Sequence, residues 1–166
     1  MAFNLRLLQT ASALAAAMVL AGIAPAMAQS VVTERPGWTV IATDKDYPTL
    51  LDDARAAIKA NKMGLVTQAG PTEVAKQRGE TIPGNMVLGV FRNDFAVTII
   101  RAVPAAMIEP PVRFMVMEEP DGTASLSYIA PSTVFAPYAD EGGEPLASAV
   151  AALDEIFAQI ANDATN

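Results

Sequence analysis

The chain has 166 residues, 18 acidic against 11 basic side chains, a formal net charge of −7, and neither histidine nor cysteine. The acidic balance argues against nucleic acid and anionic membrane as partners, since both demand clustered Lys and Arg. Without His or Cys there is no Ser-His-Asp or Cys-His catalysis, no histidine general base, no ordinary zinc, non-haem iron or haem ligation, and no disulfide, so one core must hold the fold by packing alone.

The chain opens with a leader. Arg6 carries its one charge, and no acid precedes Glu34. Leu7 to Ile23 is mostly Ala, Leu, Val and Met, followed by Pro25 and Ala26-Met27-Ala28. Small residues at Ala26 and Ala28 fit a signal peptidase, so cleavage is expected between Ala28 and Gln29. The apolar run is long enough to be an uncleaved anchor instead, but nothing basic follows to stop transfer. Without an Arg-Arg pair the general secretory route is expected, and without cysteine a lipoprotein is excluded. The expectation is a bacterial periplasmic protein with no membrane anchor after cleavage. Residues 29–37 read as an extension, 38–162 as one domain, and 163–166 as a frayed tail.

Trp38 to Thr43 alternates and predicts a strand. Asp46 suits a helix cap with Pro48 in the first turn, and Leu50, Ala54, Ala57 and Ile58 share one face. Gly64 suits that helix's C-terminal cap. Leu65 to Gln68 is a short strand. A helical turn follows from Gly70-Pro71 through Gln77, closed by Gly79. Met86 to Phe91 reads as a strand buried on both sides.

Asn93 caps a segment to Val103 whose spacing is helical but whose Val97-Thr98-Ile99-Ile100 run is β-branched, leaving strand open. Val112 to Glu118 and Ala124 to Ala130 form a hairpin about Pro120-Asp121-Gly122. Pro131 to Gly143 reads as a loop. A last helix starts at Glu144-Pro145, with Leu146, Val150, Leu153, Phe157 and Ile160 on one face. The order β-α-β-α-β-α-β-β-α predicts a two-layer α+β sandwich, mostly antiparallel, with helices on one face of the sheet.

Three stretches carry a resemblance. They are Gly79-Glu80-Thr81 with Val87-Leu88-Gly89-Val90-Phe91-Arg92-Asn93, then Ile108-Glu109-Pro110-Pro111-Val112-Arg113-Phe114, then Glu119-Pro120-Asp121-Gly122 with Leu126-Ser127-Tyr128. In order and spacing the chain resembles the bacterial domain of unknown function family 302, from about Trp38 to Tyr138. The resemblance implies a compact α+β fold, often dimeric, without established activity, and favours helix after Asn93. The chain departs from the family where a Gly-Asn-Pro turn becomes Arg92-Asn93-Asp94. It departs again where the Asp-His of many members becomes Pro71-Thr72-Glu73, so a shared site built on that histidine is either absent here or a different one.

No cofactor is expected, and no residue is assigned a catalytic role. Met115 and Met117 share a strand face and are candidate thioether ligands for Cu(I), with Met86 and Met107 as neighbours; core filling is the plainer reading. Arg113 and Tyr128 are expected opposite one another across the hairpin, a candidate site for a small anion, unless Glu119 or Asp94 pairs with the arginine. Arg92 and Asn93 can hold an anion at a helix start, or Asn93 simply caps it. The acid pairs Asp44/Asp46, Asp52/Asp53 and Glu118/Glu119 lack calcium-site or glycosidase spacing.

The leading reading is a periplasmic binding or interaction module, a homodimer or a receptor for a small anionic or apolar ligand on a free sheet face. The alternative is an enzyme using Tyr128 or a carboxylate. The last helix can instead cover that face, which would put Phe157 and Ile160 against Met115 and Met117.

Overall fold

The structure, a computed structural model, describes residues 31–166. The leader and its Ala28/Gln29 cleavage site lie outside the described residues. The elements are β1 (Trp38–Asp46), α1 (Tyr47–Ala60), β2 (Gly64–Ala69), α2 (Thr72–Gln77), β3 (Asn85–Phe91), α3 (Asn93–Ala102), β4 (Val112–Glu118), β5 (Thr123–Ile129), α4 (Pro131–Phe135) and α5 (Ala139–Thr165). Single 3₁₀ segments, Pro104–Ile108 and Ala136–Tyr138, fill two connections.

Local chemistry explains most element ends. Asp46 caps α1, its Oδ1 accepting the Thr49 N–H at 2.9 Å. Those Thr49 hydrogen bonds, first to its side chain and then to its backbone, hold the Asp46 carboxyl below the ordinary value of 3.8. Asp94, Asp121 and Asp163 are also lowered, each chiefly by a side-chain hydrogen bond. A depressed folded pKa means the folded state binds the proton more weakly. Its contribution is present above the unfolded value and lost as pH falls through the folded one. Stability is therefore expected to fall as pH drops below the ordinary value of 3.8. Asp46→Asn, which still caps, should flatten that dependence in acid-titrated thermal melts.

The far end of α1 differs from expectation. Lys62, not Gly64, takes the left-handed position, at φ 59. Its N–H donates to the Lys59 carbonyl, and the Met63 N–H donates to the Ile58 carbonyl. These are the two bonds of a Schellman cap, and Met63 and Ile58 are both buried beside it. Gly64 instead begins β2. A Cβ-bearing residue at positive φ is strained. Lys62→Gly should therefore stabilise the protein by about 0.5–1 kcal/mol, read as a raised denaturation midpoint. Gly79, at φ 81, closes α2 in the expected place with the same bond pattern.

The five strands form one antiparallel sheet in the order β1-β5-β4-β3-β2. On one face Leu88, Val90, Val112, Phe114, Val116, Ala124 and Leu126 are buried in a core shared with Leu50 and Ile58 of α1 and with Leu153, Phe157 and Ile160 of α5. Phe157 stacks on Phe114, ring centroids 4.5 Å apart, and tilts against Tyr128 at 5.7 Å. The two-layer α+β architecture is as expected. Asn93–Ala102 is a helix: Ala96 and Ile99 turn inward one turn apart, and Pro104 stops it.

Several expectations give way. β3 is fully buried only at Leu88, Gly89 and Val90, with Val87 and Phe91 half-buried, so it is not covered evenly on both faces. The stretch read as a loop is mostly helical. Pro131 opens α4 with its fixed φ, and Phe135 is buried. Helix then resumes at Ala139 and breaks at Gly143 (φ 53, ψ −152) before Pro145. The C-terminus is docked rather than frayed. Ala164 is buried, and its carbonyl accepts Lys45 Nζ at 2.8 Å, while the same ammonium pairs with Asp53 at 2.8 Å. A cation at the carbonyl end of a helix is favourable.

Candidate functional site

Strand parity sorts side chains to two faces. The face away from the helices carries Trp38 and Val40 of β1, Ser127 and Ile129 of β5, Arg113, Met115 and Met117 of β4, and Asn85 and Val87 of β3. Most of its apolar residues are half-buried rather than buried. α5 does not cover it, because Phe157 packs on the opposite face. Met115 and Met117 therefore share an open face.

A cleft of about 260 Å³ lies on this face, lined by Trp38, Val87, Arg113, Met115, Ser127 and Ile129, with Glu109 and Val134 at its wall. Ser127 is 1% exposed. Its Oγ has no hydrogen-bond partner among the described residues. A buried hydroxyl left unmatched costs about 1–3 kcal/mol. Ser127→Ala is accordingly expected to raise stability by about 1 kcal/mol, which chemical denaturation would show.

Arg113 is exposed and forms no hydrogen bond or ion pair among the described residues. The partners weighed for it are engaged elsewhere. Asp94 pairs with Arg92 at 2.8 Å, and buried Glu119 accepts the Val31 N–H at 2.7 Å. Arg35 lies over the Trp38 ring, 5.3 Å from its centroid. Glu109 accepts the Tyr138 hydroxyl at 2.8 Å, which holds the phenol proton and raises Tyr138 above the usual tyrosine value.

The structure separates Arg113 from Tyr128. The β4–β5 ladder pairs Phe114 with Tyr128, so Arg113 falls one residue away and on the other face. The cause is the turn: Gly122 at φ 87 adds a third loop residue, and one residue reverses every side chain. Tyr128 instead packs its ring on Phe114 and Phe157.

The α3 start also differs. Arg92 holds the cap position, Asn93 is already inside the helix, and no side chain caps it. Arg92 is occupied by Asp94 and by the Phe95 ring, 4.2 Å from the guanidinium, which weakens it as an anion site. Met117 Sδ accepts the Asn85 amide at 3.1 Å, and Met86 lies on the helix-covered face, so the methionine pair gains no thioether from it. Among the acid pairs, Asp52 and Asp53 form ion pairs with Arg55 and Lys45. Among the described residues no group of three or more acidic, His or Cys side chains is arranged for a metal, and no helix is long and apolar enough to cross a membrane.

Sequence reasoning missed Ser127 and Trp38 as site residues. Their shared parity with Arg113 and Met115 was a signal, but only with the register known.

Comparison with known proteins agrees with this fold. The family model for the domain of unknown function DUF302 matches residues 38–160. Among solved structures the chain is similar to an uncharacterized conserved protein DUF302 from Bacillus stearothermophilus, at 14% identity and a TM-score of 0.67, covering 78% of this chain and 98% of that one. At that identity the likeness speaks for the fold alone. No curated protein matches. With the family model spanning most of its length, the chain belongs to the DUF302 family.

Proposed function

We propose that this protein is an exported, periplasmic small-ligand-binding module whose site is the cleft on the open sheet face. The observation that supports it best is the Ser127 hydroxyl, buried on an apolar floor near Arg113, with neither side chain partnered among the described residues. Buried polar groups are ordinarily satisfied, and one that is not needs a reason. A ligand oxygen or nitrogen supplies one. The turn of Tyr128 into the core favours binding over tyrosine acid–base chemistry. The leader read from the sequence gives the compartment.

The chain's one tryptophan, Trp38, lines the cleft and is a built-in reporter. The test is a fluorescence and NMR screen of a mixed panel of acidic, basic and neutral fragments against the chain beginning at Gln29, purified from periplasm. Binding that quenches or shifts Trp38 and is weakened in Arg113→Gln is expected. Silence at Trp38 across the panel, or a stable dimer that closes the cleft, would overturn the reading.

A further inference from the structure

We infer that the ligand of this cleft is a small monocarboxylate with an apolar body, a single ring or short chain, held between Arg113 and Ser127. This rests on the cleft being a binding site. Arg113 is permanently charged and has no partner among the described residues, and its planar fork matches a carboxylate. Continuing the β4–β5 register sets Arg113 level with Ile129, so Ser127 is its diagonal neighbour. Diagonal pairs lie about 7–8 Å apart at Cα, a span that an arginine side chain and one carboxylate together cover. The carboxylate would then accept both the guanidinium N–H groups and the Ser127 hydroxyl, which has no partner among the described residues.

The rest of the cleft sets size and charge. Trp38, Val87, Met115, Ile129 and Val134 offer apolar contact, and a volume of about 260 Å³ suits a small body. Glu109 is the acid in the cleft wall, fixed by Tyr138. Its negative charge repels a second carboxylate, which selects monoacids over diacids.

The experiment titrates Trp38 fluorescence with phenylacetate, phenylacetamide, phenethylamine, phenylalanine and succinate at neutral pH and low salt. Phenylacetate should bind, with the amide about 10- to 100-fold weaker and the amine, the zwitterion and succinate weaker still. Arg113→Gln should abolish the preference for acid over amide, and Arg113→Lys should restore part of it. Ser127→Ala should weaken phenylacetate about tenfold while its melting temperature holds or rises, which separates lost binding from lost fold. If the amide, amine or zwitterion binds as tightly as phenylacetate, or Arg113→Gln binds all five as before, the monocarboxylate assignment is wrong. If all five are silent while other fragments still shift Trp38, the assignment also fails and the binding site stands. If no fragment of any class reaches Trp38, the site itself falls.

Discussion

Phe157→Ala should lower the free energy of unfolding by about 3–5 kcal/mol, a large share of the roughly 5–15 kcal/mol that keeps an ordinary domain folded. Phe157 is 0% exposed. Its ring lies nearly parallel to Phe114, at 16°, and meets Tyr128 at 58°. Phe114 and Tyr128 are themselves cross-strand partners 5.2 Å apart. The three rings therefore weld α5 to the two strands whose reverse sides carry Arg113, Met115 and Ser127. Truncation leaves a cavity that two neighbouring rings cannot close, so the cost includes lost contacts as well as lost transfer energy. Urea denaturation followed by circular dichroism measures it. Phe157→Leu, which keeps most of the volume, should cost far less. A loss below about 1 kcal/mol for the alanine variant would show that α5 is not docked through this ring.

Gly89→Val should cost about 1–3 kcal/mol, although valine suits a strand better than glycine. A Cβ on Gly89 would sit 2.1 Å from Thr67 Oγ1 and 3.0 Å from Pro111 Cγ. The threonine can rotate; the proline ring has little room to give. The glycine is thus required by close approach on the face it shares with Arg113, its partner on β4. A double-mutant cycle tests the cause. Gly89→Ala alone should destabilise, and adding Thr67→Ala should recover part of the loss. Equal losses in the single and double variants would place the clash on Pro111 alone.

Much of the fold was legible because it is written locally. The Asp46 cap, the Gly79 closure and the end of α3 before Pro104 each follow from chemistry within a few residues. The helix after Asn93 was ambiguous for a local reason, since β-branched residues at helical spacing satisfy both patterns. Tertiary packing settled it by burying Ala96 and Ile99. Lys62 shows the opposite failure. The Schellman bonds and the burial of Met63 outweigh the penalty of a left-handed lysine, and a glycine two residues later drew the expectation to the wrong place.

The sequence by itself determined the five strands, α1, α2 and most of α5, though not α4 or the choice of helix for α3. It determined too that the sheet needs one buried face and that histidine, cysteine and their chemistries are absent. It also determined that Met115 and Met117 share a face with Arg113, because strand parity depends on one chain segment alone. Which residues stand opposite one another was decided only in three dimensions. A single extra loop residue at Gly122 moved Tyr128 from Arg113 to Phe114 and turned its ring into the core, although the residue still borders the cleft. Ser127 became a site residue for the same reason. A serine in a strand looks alike whether solvated or buried, and its hydroxyl, unmatched among the described residues, is buried because the register places it between Met115 and Val40. Pairing is a sum over a whole ladder and the core behind it, and no short window of sequence contains that sum.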